Sequence, residues 1–216
     1  MNRNIYQIVL TGGTCGGKST FLSCLKKDIE REDFKVITQR EVATELLTSG
    51  IQFNELSTFL AQKIIMEKAL LNEKIALEVA TEYREKGYNV LILYDRGLLD
   101  NRAYCSDKVW INILECLNLA NENLYKRYNA VFDLVSLACT DENAFRELVE
   151  TNGARHNKSV SWAIAEEKAL QKSWRDHPNF QIIINDDDGF FGKGKRLLSA
   201  INTIIAPTET AFSTNK

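Results

Sequence analysis

The segment Gly12-Gly13-Thr14-Cys15-Gly16-Gly17-Lys18-Ser19 has its glycines, lysine and hydroxyl at the spacing G-x-x-x-x-G-K-[ST]. Glycines let a backbone curl until successive N–H groups converge on an anion, which is the chemistry of holding a phosphate chain. Lys18 adds a cation for the terminal phosphates, and Ser19 a hydroxyl placed to ligate Mg²⁺. The apolar run Ile5 to Leu10 precedes the loop as a strand, and an amphipathic helix opens at Lys18, with Thr20 in its first turn. The positive end of that helix faces the same anion. The nucleotide-phosphate site is therefore assigned to Gly12, Gly13, Thr14, Cys15, Gly16, Gly17, Lys18, Ser19 and Thr20. Cys15 is read as a small side chain that fits the curve of the loop.

A triphosphate site also needs a carboxylate to organise magnesium and its waters, at the end of a neighbouring apolar strand. Val90-Leu91-Ile92-Leu93-Tyr94-Asp95 supplies one, so Ser19 and Asp95 form the expected metal pair. The next residue is Arg96, where a mechanical ATPase would place a water-activating Glu. No guanine reader of the form Asn-Lys-x-Asp is found, because Asn157-Lys158-Ser159-Val160 ends in Val. Asp186-Asp187-Asp188-Gly189 follows the last strand and reads as a solvated turn.

Asp95-Arg96-Gly97, with Asp100 and Tyr104 close behind, resembles the Asp-Arg element of thymidylate and deoxynucleoside kinases. That resemblance implies that Arg96 steadies phosphate or acceptor, and that Arg40-Glu41 occupies a substrate-contacting position. Glu41 or Asp95 would then take a proton from an acceptor hydroxyl. It also implies a lid over about residues 140–160, with Arg155 first and Arg146 second as the groups that stabilise the moving phosphoryl group. His156 and His177 are too separated for a shared role, and His177 beside Pro178 reads as a loop residue.

Thr11 to Ser19, Arg40-Glu41-Val42-Ala43-Thr44, Tyr94-Asp95-Arg96-Gly97 and Asp100 occur in that order. With them the chain resembles the NadR-like AAA-type domain family. That family joins the ribosylnicotinamide kinase domain of a bacterial NAD-biosynthesis regulator to a GTP-binding trafficking protein of animals. Asn152-Gly153-Ala154-Arg155 and the segment Trp174 to Asn185 are compatible with it. The resemblance implies a P-loop kinase fold, ATP or GTP with Mg²⁺, and phosphorylation of a small nucleoside-like acceptor such as ribosylnicotinamide. The alternative is a nucleotide-binding regulatory module with slow hydrolysis that acts through a protein partner.

Other elements must position these residues. Short strands are expected at Phe34–Thr38, Tyr88–Tyr94, Ala130–Ala138 and Phe180–Ile184. Helices are expected at Glu41–Ser49, Gln52–Lys86, Val109–Tyr128, Val160–Arg175 and Lys193–Ile204. In the longest of them, Phe53, Leu56, Leu60, Ile64, Leu71, Ile75 and Val79 form the apolar stripe, and Gly87 is its left-handed stop. Strands alternating with helices imply a three-layer α/β domain with a mostly parallel five-stranded sheet. One domain is expected over 1–206, followed by a polar tail at 207–216.

The 216 residues carry 27 Lys and Arg against 29 Asp and Glu, a net charge of −2, which supplies no field for nucleic acid or an anionic membrane. Two prolines and 11 glycines argue against a linker-rich chain. The five cysteines are scattered without CxxC spacing, no apolar run is long enough to span a bilayer, and the N-terminal apolar stretch is too short for a signal-peptide core. A cytoplasmic protein is expected.

Overall fold

The computed structural model describes residues 4–151, 159–186 and 188–206. The apolar runs form five strands, β1 (Ile5–Thr11), β2 (Phe34–Gln39), β3 (Asn89–Asp95), β4 (Ala130–Leu134) and β5 (Phe180–Ile183). All pair in parallel, in the order β2-β3-β1-β4-β5. The register sets Ile5 beside Val90 and Leu10 beside Asp95, so the strand that enters the phosphate loop ends next to the strand that carries the acid. The connection from β1 runs to β2 at one edge and that from β3 runs to β4 on the other side. Loops diverging in this way leave a crevice at the carboxyl ends of the strands, where open α/β sheets take ligands.

The helices are α1 (Lys18–Ile29), α2 (Val42–Thr48), α3 (Thr58–Glu85), α4 (Asp107–Cys116), α5 (Asn121–Tyr125), α6 (Leu137–Thr140), α7 (Glu142–Thr151), α8 (Val160–Trp174) and α9 (Gly189–Ile205). Single 3₁₀ segments lie at Phe53–Glu55 and Leu98–Tyr104. Alternate strand residues point to opposite faces of the sheet. On one face Ile8, Leu10, Leu91, Leu93 and Phe132 meet Phe21 and Leu25 of α1 and Leu197 and Ile201 of α9. On the other, Val9, Val90, Ile92 and Val131 meet Met66, Ala76 and Ala80 of α3, Trp110 of α4 and Trp174 of α8. Burial on both faces explains why β3 and β4 are near-continuous apolar runs, whereas the edge strands β2 and β5 are partly exposed and keep Lys35 and Gln181. The three-layer expectation is met, with a sheet that is parallel in every pair.

Several boundaries differ from expectation. The long helix starts at Thr58, where the Ser57 side chain accepts from Leu60 N, and Gly87 follows it at φ 91. Its buried residues are Ala61, Met66, Glu73, Ala76 and Ala80, whereas Leu60, Leu71, Ile75 and Val79 of the expected stripe are exposed. Small residues let α3 approach the sheet closely, and the larger apolar groups fall outside that contact. The expected helix over Val109–Tyr128 is two helices, broken at Asn118 (φ 53). β4 ends at Leu134, because Ser136 turns the chain and caps α6. α9 begins four residues earlier than expected, at Gly189. The first part of the proposed lid is α7, packed through Phe145 and Val149 against Ala138 and Ala163, while residues 152–158 and the tail lie outside the described residues. Among the described residues no helix is long and apolar enough to cross a membrane.

Candidate functional site

Between Thr11 and Lys18 the chain passes close under the end of β4. A Cβ on Gly12, at φ 117, would lie 2.4 Å from the Leu134 carbonyl oxygen, and one on Gly16 would lie 2.1 Å from it. Neither position admits a side chain. Cys15 sits at φ 62, so the curve of the loop holds a residue with a side chain in the left-handed region. α1 has no side-chain cap, and Thr14 to Thr20 line the mouth of a cavity. The first helical amides have no intrahelical partners and are available to an anion there. The buried Lys18 folds back, its Nζ donating to Gly12 O at 2.6 Å and Gly13 O at 2.9 Å. Burial lowers its pKa, Arg96 lowers it further, and Asp95, Glu41 and Glu166 oppose both.

Ser19 Oγ donates to Asp95 Oδ2 at 3.1 Å. Asp95 Oδ1 is buried and has no donor, and burial holds the carboxyl above its ordinary range against the pull of Lys18. A hydroxyl beside a carboxylate with a spare buried oxygen is a donor set that suits Mg²⁺, which binds through few protein ligands and completes its shell with phosphate and water. Among the described residues no group of three or more His, Cys, Asp or Glu could hold a metal by itself.

Arg96 is the centre of charge in the crevice. Its backbone takes φ 73, and its N–H is tied to Leu10 O at 3.0 Å, so a strained residue is fixed where β1 and β3 end. Its Nε donates to Glu41 Oε1 at 2.5 Å, with Asp100 at 3.9 Å and Glu166 at 4.0 Å. Glu41 also accepts from Thr44 Oγ1 at 2.6 Å. Burial would raise the Glu41 carboxyl, but Arg96, the Thr44 hydroxyl and Lys18 together hold it down to about 2. Asp100 takes the Thr11 hydroxyl and, at 2.6 Å, the Gly97 amide. It thereby fixes the turn that carries Arg96.

The cavity has a volume of about 1090 Å³ and extends from the phosphate loop past Asp95 and Arg96 to α2 and α3. Arg40 and Glu41 line one wall; Gln62, Asn72 and Glu73 of α3 and Trp162 of α8 also border it. Glu73 is buried and paired with Arg127 at 2.5 Å and with the Tyr128 hydroxyl.

Lys18, Ser19, Thr20, Glu41, Asp95 and Arg96 thus surround one space, with Gly12 and Gly13 buried beneath its rim. Arg146 is elsewhere: it is exposed on α7 and paired with Glu142. Arg155 and His156 fall outside the described residues. His177 is in a turn, as expected of a loop residue, yet it is buried and bonded to Tyr128 O at 3.0 Å. Sequence reasoning missed Glu166 and Glu167. Glu166 Oε2 accepts from Thr14 N at 3.0 Å and its Oε1 from the Tyr104 hydroxyl at 2.7 Å, while Glu167 Oε2 accepts from Gly13 N at 2.9 Å. Adjacent acids on a helix read as a solvated face, and only tertiary packing shows otherwise.

No curated protein matches the chain in sequence. Among solved structures, deoxyadenosine kinase from M. mycoides, described with products dCMP and a flexible dCDP bound, matches over 91% of this chain and 99% of its own at a TM-score of 0.59 and 13% identity. That likeness is one of fold. Residues 7–189 match the family described as AAA domain, a span that takes in the phosphate loop, Asp95 and α8, and the chain belongs to that P-loop family.

Proposed function

We propose that the chain is a Mg²⁺-dependent phosphotransferase that moves the γ-phosphoryl group of ATP or GTP onto a small nucleoside-like acceptor such as ribosylnicotinamide. The observation that carries this reading is the continuity of the cavity. The space beside the phosphate loop runs on to Glu41 and α3, leaving room for a second small molecule where a hydrolase needs only a water.

In this reading the loop amides and the α1 N-terminus hold the phosphate chain. Lys18 exchanges the carbonyls of Gly12 and Gly13 for phosphate oxygens. Ser19 and Asp95 hold Mg²⁺, which supplies charge neutralisation when bound. Arg96, steadied by Glu41, faces the transferred group, and Arg155 is assigned the charge that develops on it. Glu41 stays ionised down to about pH 2, so it orients the acceptor hydroxyl as a hydrogen-bond acceptor and is a weak base. Asp95, raised by burial, is the more basic of the two carboxylates. Phosphoryl transfer asks chiefly for positioning and electrostatics, and this set supplies both.

The test is release of nucleoside diphosphate from ATP and GTP with Mg²⁺, alone and with pooled nucleosides, nucleotides and nicotinamide riboside, beside Lys18→Ala. One pool should stimulate release, and the variant should lose it. Nucleotide binding without stimulation by any pool would turn the reading to a slow regulatory module that acts through a protein partner.

A further inference from the structure

Three buried charged residues meet at the base of the phosphate loop without lining the cavity: Asp133 of β4, Glu167 of α8 and Lys193 of α9. Glu167 Oε2 accepts from two backbone amides, Gly13 N at 2.9 Å and Ser136 N at 2.8 Å. Lys193 Nζ donates to Gly16 O at 3.0 Å and Val135 O at 2.7 Å. Asp133 Oδ2 accepts from Gln171 Nε2 at 2.7 Å. The second oxygens of the two acids, Asp133 Oδ1 and Glu167 Oε1, are buried without a donor, and the two carboxyls lie within hydrogen-bonding reach. Two ionised acids in that arrangement repel each other, whereas one proton between them satisfies both oxygens.

We propose that Glu167, with Asp133 and Lys193, positions the phosphate loop, clamping it at Gly13 and Gly16 to β4, α8 and α9 in the conformation that takes a nucleotide. The proposal rests on the reading of the loop as a nucleotide site and adds the residues that set its backbone. One clamp is a carboxylate that ties a loop amide to the Ser136 amide after β4, and the other an ammonium on a loop carbonyl, so the loop is held at both ends of its tightest turn. α8 carries both Glu167 and Glu166, so the position of that helix is passed to the loop at Gly13 and Thr14 through two adjacent side chains.

The cluster is also charge-sensitive. Burial, then the charge of Glu167, pushes Asp133 up to about 8, and burial draws Lys193 down to about 8 against the pull of both acids. Among the described residues, the other titratable groups facing it are Lys18 of the loop, Arg196 of α9 and Cys139 of α6. As pH rises through about 8 the second acid ionises and the ammonium loses its proton, so negative charge accumulates beneath the phosphates and affinity for ATP falls.

Two measurements on the full chain test the cluster. In amide exchange without nucleotide, Glu167→Ala should cost residues 11–20 about tenfold or more in protection while α3 is unchanged, and Glu167→Gln, which keeps an acceptor for the amides and donates to Asp133, should restore most of it. Calorimetric binding of ATP should weaken about 10- to 100-fold in Glu167→Ala. In the wild type it should weaken by about tenfold between pH 7 and 9, a fall that Asp133→Asn lessens, leaving the share that comes from Lys193. Unchanged loop exchange in Glu167→Ala overturns the clamp whether or not ATP binds. A Gln variant as impaired as the Ala variant, or a flat pH profile in the wild type, overturns the shared proton. Failure of the wild type to bind ATP overturns the nucleotide reading instead, and the exchange result still decides the clamp. Should Glu167→Ala not fold, Lys193→Met, which removes the donor to Gly16 O, takes its place: loop protection should fall in the same way, and unchanged loop exchange overturns the clamp.

Discussion

Arg96 and Glu41 form an ion pair, and each restricts what the other can do. The 2.5 Å contact draws the Glu41 carboxyl down to about 2 from the ordinary 4.5, so the folded state binds its proton less readily than the unfolded chain does. That pair therefore contributes stability in full above pH 4.5, and the contribution is lost as pH falls from 4.5 towards 2. Urea titrations should show Glu41→Gln less stable than the wild type at neutral pH, with the gap closing on acidification through that window. Arg96→Lys should not preserve turnover, because an ammonium cannot reproduce the planar fork that meets Glu41 while facing Asp100 and Glu166. Asp95→Asn keeps the shape of the site but removes the charge beside Ser19, and should lower kcat by about 10²- to 10³-fold with folding retained. Asp95 was legible in sequence because a phosphate loop asks for an acid at the end of a neighbouring apolar strand, whereas Arg96 and Glu41 stood out only through the resemblance to nucleoside kinases. Glu166 and Glu167 were not legible: their roles arise from contacts with Gly13 and Thr14 more than 150 residues away.

At the scale of elements, the central strands were readable because burial on both faces demands continuous apolar runs, and the phosphate-loop helix because Phe21, Leu22, Leu25 and Ile29 recur on one buried side. The long helix α3 was readable in extent at its C-terminal end but not in orientation. Periodicity marks where large apolar groups recur, and on α3 those groups point away from the sheet while Ala76 and Ala80 make the close contact. Substitutions should follow the structure. Ala76→Leu should cost about 1–3 kcal/mol by overpacking a contact with no space. Ile75→Lys, on the exposed side, should change stability by no more than about 0.5 kcal/mol. Equilibrium denaturation of both variants checks the pair, and the opposite ranking would restore the stripe as the buried face. The break between α4 and α5 was hidden for a related reason, since Asn118 enters the left-handed region in a stretch whose composition remains helical.

For the whole molecule, the sheet order places the carboxyl ends of β1 and β3 side by side, so a ligand in the crevice touches the loop, α2, α3 and α8 together. Binding there should stabilise the entire fold: nucleotide at about a hundred times its Kd adds about 2.7 kcal/mol, roughly 2–4 °C of Tm per kcal/mol at this size, and Lys18→Ala should abolish the shift. The tryptophans report the same event optically. Trp110 and Trp174 are buried in the core at 2% and 0% exposure, while Trp162 borders the cavity at 42%. A ligand that fills the cavity changes the surroundings of Trp162 and leaves the other two in place. Emission should therefore shift on addition of nucleotide or acceptor, and Trp162→Phe should remove the shift without removing binding measured by calorimetry. A shift that survives in Trp162→Phe would mean that binding repacks the core around Trp174, and would move the coupling from the cavity wall to the sheet face beneath α8.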